Sequence, residues 1–573
     1  MGTTIQDRTS RPPVVAGLTP YTGTFGKEQI THLLKRTMFG AKKADIDFFT
    51  GKTLAAVITT LLTEPAALTN AQLPLNNYER KDTANAANDK LDTDAPLGST
   101  WAYKNQGGPV NSGLNFDGER RASLKAWWLG NMVTQQRSVF EKMVLFWHNH
   151  FATEITDTAS SMFFEYVMLL RQNALGNFKT FTKGMTADSN MLRYLNGYLN
   201  TKSAPDENYG RELQELFTMG KGANSQYTEA DVKAAARVLT GFSLRQVQNP
   251  AGSGIFKYES YWRGTGQHDL NPKVFSVFYG TKTISTVGGD TAAAALKEVD
   301  DLHEMIFAQN EVAMYVCRRI YRFFVYYDID ATVETDVITP LSAIFRANNY
   351  DIKPVLKALF SSEHFFDVGL KACLIKSPLE NLVGFVREFE VGLPTNTVTP
   401  LVQGTITYQE NQFYTAMNSL IGNASAQAQN LGDPPNVSGW PAYYQEPVFH
   451  EAWINTDTFP KRLRYSDLFF TSAVSRMSVD ILKFTDQFGT DAEDPNLLIT
   501  RVLEILYRVP PTQAMLNYLK TTILLGGQAS DHYWTDAWVA YKASPTTANI
   551  NIVKPRLQSF YLFITRNPEY QLA

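Results

Sequence analysis

Apolar positions recur every three or four residues along most of the chain, which predicts a mainly α protein. Lys27 to Phe39 carries Ile30, Leu33, Leu34 and Met38 on one face, and Gly40 follows as a stop. Leu54 to Leu62 reads as a short second helix. Glu119 to about Phe151 reads as one long helix or two, and Met162 to Leu170 (MFFEYVMLL) as a buried one. Lys179–Met185, Met191–Leu199 and Glu207–Met219 continue the series, and Thr228 to Asp231 has the form of a capping box before an Ala-rich helix. The period then changes. GIFKYESYW (254–262) and KVFSVFYGTKTI (273–284) alternate and are rich in aromatic and β-branched residues, so we expect two strands of a small antiparallel insert over 254–284. Helical spacing returns after Thr291 and runs to the C-terminus, apart from a polar, Pro-punctuated stretch at about 431–455. The expected body is a multi-helix, bundle-like assembly with that β insert.

Two stretches lack periodicity. Residues 1–24 are rich in Thr, Pro and Gly and read as an irregular leader. Residues 74–118 are polar and Gly/Asn-rich, and so long a loop reads as a surface excursion covering a site. We expect an N-terminal helical domain over 25–290, holding this loop and the insert, and a C-terminal helical domain over 291–573.

Composition narrows the classes. The 573 residues are 44% hydrophobic and 19% charged, enough apolar content for a large core. The 53 basic and 56 acidic residues give a net charge of −3 without long runs of either sign, which argues against nucleic acid as a partner. Cys317 and Cys373 sit in apolar, helix-like stretches and read as buried small hydrophobes; a single disulfide is the other use of two cysteines. No apolar run reaches transmembrane length, and the N-terminal residues lack the apolar core of an export signal. No Walker loop, dinucleotide fingerprint, HExxH or GxSxG occurs, so we expect no nucleotide cofactor.

Four segments carry candidate chemistry. In FWHNHF (146–151), His148 and His150 stand two apart. On a helix such residues differ by about 200° and face opposite ways, whereas in extended backbone they share a face. Joint metal ligation therefore requires the helix to end near Trp147. In ENYGRELQELF (207–217), helical spacing puts Asn208, Glu212 and Glu215 on one face with Arg211 beside them, and Glu207 opens the segment. Paired carboxylates supply acid–base groups or metal ligands, and a solvated polar face is the plainer alternative. His268-Asp269 lies in the turn-rich loop RGTGQHDLNP, where the Asp can bind metal, orient a histidine or cap a turn. GDPPNVSGWP (432–441) with AWINTDT (452–458) brings Asn436, Trp440 and Trp453, either as a sugar-stacking surface or as a turn packed on the core. Glu165 interrupts an apolar helix, so it needs a partner or a raised pKa, and Arg171 is the nearest cation in sequence.

HLLKRTMFG, FWHNHF, NALGNF (173–178), ENYGRELQELFTMG, YTEADVKAAARVLTGF, the His-Asp loop, KSPLE (376–380) and DPPNVSGWP…WINTDT occur in this order from about residue 28 to about 470. In this combination the chain resembles the bacterial family named domain of unknown function 1800. The chain departs from the family at ADSNM (187–191), where a Pro is more usual. The resemblance implies a bacterial, commonly exported protein, often encoded beside a sulfatase-like family, and implies no activity.

From the residues we expect a metal-dependent enzyme, a hydrolase or oxidoreductase acting on an unknown extracellular polymeric substrate such as a polysaccharide. His148, His150, His268, Asp269 and Glu207 would bind zinc, iron, manganese or copper. Glu212, Glu215 and Arg211 would be catalytic, and Asn208, Asn436, Trp440 and Trp453 would hold substrate. The alternatives are a non-catalytic surface or glycan-binding protein and a partner subunit of a neighbouring enzyme.

Overall fold

Helices account for 54% of the chain and strands for 8% in the computed structural model, which describes residues 17–105 and 114–573. Most of the expected leader and the middle of the 74–118 loop lie outside the described residues. The predicted helices form where apolar spacing and caps agree. Thr228 and Asp231 close a reciprocal capping box at the start of Glu229–Val238. Ser377 and Glu380 do the same for Pro378–Glu388, with Pro378 in the first turn. The long stretch before Phe151 is two helices, Asp117–Val133 and Phe140–His150. Ser138 turns the chain between them by bonding the Leu61 and Thr63 carbonyls.

A continuous buried cluster runs from Ile30 to Tyr570 and joins residues on both sides of position 290. Helix Asp117–Val133 packs on helix Gln412–Ser425. The approach is close because Gly130 faces Phe413, where a Cβ would come within 2.7 Å of the ring. Arg387 is 5% exposed and links the parts, donating to the Phe39 and Val133 carbonyls and pairing with Asp45 at 3.2 Å. Lys142 and Glu380 form a further ion pair across them. Among the described residues no helix is long and apolar enough to cross a membrane.

The strands differ from the expected pairing. Phe256–Trp262 pairs with Phe242–Gln248, not with the segment after the His-Asp loop. Within 273–284 only Lys273–Val274 and Thr283–Ile284 pair, with each other. Phe242–Gln248 directly follows helix Glu229–Val238, and a tight turn lets it fold back sooner than the alternation alone suggests. A separate three-stranded antiparallel sheet joins Arg80–Asp82, from the polar loop, to a hairpin of Val398–Gln403 and Ile406–Asn411. Part of the polar loop is thus stitched down as a sheet edge.

Candidate functional site

The helix Phe140–His150 runs through both histidines, and the Phe151 N–H closes its last turn on the Trp147 carbonyl at 2.8 Å. The two rings therefore point apart. His148 Nδ1 lies 3.0 Å from the Tyr166 hydroxyl, with the ring boxed by Trp128, Phe163 and Trp440. His150 Nε2 lies 3.0 Å from the Phe217 carbonyl, with its ring among Phe146, Phe151 and Phe178. Burial holds the His148 imidazole down to about 3 and the His150 imidazole well below its usual range, so both are neutral in the fold.

The other expected ligands are engaged elsewhere. His268 Nδ1 lies 2.8 Å from the Thr240 carbonyl, and its Nε2 lies 3.3 Å from Glu298. Glu298 also pairs with Lys273 at 2.5 Å, so this loop is pinned to helix Ala292–Phe307. Asp269 pairs with Arg237 at 2.5 Å and accepts the Asn271 N–H, the capping use of a turn aspartate. Glu207 pairs with Arg211 at 3.1 Å. Among the described residues no three His, Cys, Asp or Glu side chains converge as a metal ion requires.

The sugar-stacking surface is likewise not formed by the tryptophans. Trp440 is 1% exposed and Trp453 3%, because the 432–441 loop docks on the end of the histidine helix. The Trp440 N–H donates to Asn149 Oδ1 at 2.9 Å. Gly439, at φ +91°, brings its backbone so close to Asn149 that a Cβ would lie 2.5 Å from that carbonyl oxygen. Asn149 thus ties down the loop from between the two histidines. Asn436 stays exposed, bonded to Tyr444.

What the end of this helix does assemble is a patch of carboxyl groups and tyrosines. Beyond Phe151 the chain is clamped by the Ile155 N–H on the Gly432 carbonyl and by Asn190 on Thr153. Between these clamps sits Glu154, which accepts a hydrogen bond from Tyr194 at 3.3 Å. Burial raises the Glu154 carboxyl, and so do Asp157 and Asp433 beside it. The second carboxylate segment begins as helix Asn208–Glu212 and continues as a π-helix, Leu213–Thr218. Such π turns recur at functional sites. Glu212 is partly buried, and its carboxyl is pushed up to about 7 by burial and by the neighbouring Glu215. Glu215 is salt-bridged to Lys221. The Tyr194 hydroxyl is raised by burial, by Glu154 and, least, by the charge of Glu212. Tyr227 adjoins it, raised by burial and by Glu215 and Glu212.

Two of the expected catalytic residues, Glu212 and Glu215, thus meet here. Arg211 turns away to hold Glu229 at 2.6 Å, and Asn208 is exposed. Sequence spacing missed Glu154, Tyr194 and Tyr227, which come from separate elements. The only signal was that Glu154 follows the histidine helix. Glu165 has the raised carboxyl expected of it, pushed to about 8 by burial. Its partner is the Tyr258 N–H at 2.9 Å, while Arg171 pairs with Glu141 at 2.9 Å.

The fold and the patch define a mainly α protein whose candidate chemistry rests on clustered carboxyl groups set in loops and a π turn. The family model described as Protein of unknown function (DUF1800) matches residues 32–572, and the chain belongs to that family. No curated protein and no solved structure matches the chain.

Proposed function

We propose that this protein is a hydrolase that works by general acid–base catalysis at the Glu154–Tyr194–Glu212–Glu215 patch, on a neutral, hydroxyl-rich polymer. What supports this reading is Glu212, partly buried at the start of a π turn beside Glu215, where burial and that neighbour push its carboxyl up to about 7. A carboxyl poised near the working pH can hold a proton for a leaving oxygen and then take one back, worth roughly 10²–10⁴-fold in rate. Glu215, paired with Lys221, and Glu154, hydrogen-bonded by Tyr194, would orient water in this reading. Asp157, close to Glu154, adds negative charge that disfavours anionic substrates and suits neutral glycans. Export, which the family resemblance implies, would bring the protein to such polymers.

The metal-dependent version of this reading lacks a gathered ligand set, since His148, His150 and His268 each serve a different structural contact. The acid–base version needs only residues that share the patch. Its test is release of reducing ends from a panel of neutral polysaccharides by the purified chain, with Glu212→Gln and Glu154→Gln beside it. Release that falls at least 100-fold in both variants supports the reading. No release across the panel, or release unchanged in Glu212→Gln, overturns it.

A further inference from the structure

A cavity of 1150 Å³ opens between the first helix, Lys27–Thr37, and the segments around 368–375, 450 and 500–511. A small inner chamber of 30 Å³ shares Tyr327, Ile375 and His450 with its wall. Arg36 lines this chamber and is 3% exposed. Its Nη2 donates to the Leu370 carbonyl at 2.8 Å and contacts Cys373 Sγ at 3.1 Å. Its Nε and Nη1 are buried and have no hydrogen-bond partner among the described residues. His450 is a second residue with an unused donor. Its Nδ1 accepts the Ile375 N–H at 3.1 Å, which leaves the proton on Nε2, and Nε2 is buried and unpartnered. A third, Arg508 Nε, is also unpartnered on a residue lining the larger cavity.

Several other charges nearby are already matched. Lys35 pairs with Glu388, and Lys371 with Glu28. Glu380 pairs with Lys142, so it does not neutralise Arg36. A buried guanidinium with two idle N–H groups is costly unless something accepts from it. We propose that the inner chamber is a carboxylate-binding site, in which Arg36 and His450 Nε2–H seat the anionic end of a small organic acid whose body lies in the 1150 Å³ cavity. The chamber has room for about two water-sized atoms, which matches the two oxygens of a carboxylate rather than the four of a phosphate. The outer cavity is large enough for an ordinary metabolite-sized ligand and presents Tyr326, Tyr327, Tyr507 and Pro510 to it.

Cys373 makes the proposal testable without knowing the natural ligand, because it lines the outer cavity and touches Arg36. Iodoacetate seated on Arg36 would present its methylene carbon to Sγ. The sulfur–carbon bond forms, iodide leaves, and the thiol proton passes to solvent. The experiment measures alkylation of Cys373 in the full chain by mass spectrometry, with iodoacetate and with neutral iodoacetamide, and scales both to glutathione. We expect iodoacetate to be favoured at least tenfold over its ratio on glutathione, and Arg36→Gln to remove that preference. A second measurement uses the unaltered protein: 20 mM acetate should slow iodoacetamide at Cys373 at least threefold, and equal phosphate or chloride should not. An iodoacetate ratio equal to that of glutathione, or protection by phosphate or chloride as strong as by acetate, overturns the proposal.

Discussion

Replacing Gly439 with alanine should detach the loop that seals the histidine helix. Gly439 sits at φ +91°, where an L residue pays about 1–2 kcal/mol. The new Cβ would also lie 2.5 Å from the Asn149 carbonyl oxygen, which belongs to a helix and cannot turn aside. The loop must therefore lift. It then loses the bond from Trp440 N to Asn149 Oδ1, worth about 1 kcal/mol. It also exposes part of the Trp440 indole, whose full exposure would cost about 5 kcal/mol at roughly 200 Å² and 25 cal/mol/Å². A partial lift gives a total of about 3–5 kcal/mol. Urea unfolding at 25 °C, followed by tryptophan fluorescence, measures the difference. A loss below about 1 kcal/mol would refute the claim that this turn is locked by close backbone approach.

Other outcomes follow from the same contacts. Asp188 caps helix Ser189–Tyr194, and burial pushes its carboxyl to about 7 from an ordinary value near 4. A raised carboxyl favours the fold while protonated, so its contribution is present at low pH and is lost as pH rises through about 7. Asp188→Asn keeps the cap and should therefore exceed the wild type by about 4 kcal/mol at pH 8 and match it near pH 4, as pH-dependent denaturation will show. His148→Ala and His150→Ala should each cost about 2–4 kcal/mol through lost hydrogen bonds and packing, and should leave the metal content of the purified protein unchanged. A drop in bound metal in either variant would contradict the assignment of these rings to the core. The wild-type His148 ring, held at about 3 against an ordinary 6.5, stabilises the fold above pH 6.5 and loses that contribution as pH falls toward 3. Acid unfolding of His148→Phe should therefore begin at lower pH than that of the wild type.

Much of the helical frame was legible because apolar spacing and caps agree locally, as at Thr228–Asp231 and Ser377–Glu380. The strand pairing was not, since alternation marks a strand without naming its partner, and Phe242–Gln248 reads almost as well as a continuation of the helix before it. FWHNHF carried its own condition. Joint ligation required a break near Trp147, and the helix continues instead to His150. The GDPPNVSGWP motif pointed to a rigid turn, but not to Asn149 as its anchor 291 residues away. The pair Glu212–Glu215 was visible as one helical face. Glu154 and Tyr194 come from separate elements, which no local period connects to that face.

The ionisation of Glu212 bears most directly on the proposed chemistry. A ¹³C-carboxyl NMR titration of the full chain, with the resonance assigned by its loss in Glu212→Gln, should place its midpoint near 7. Glu215→Gln should move that midpoint down, because Glu215 is one of the charges that raise it. A midpoint near 4.5 that ignores Glu215 would contradict the account.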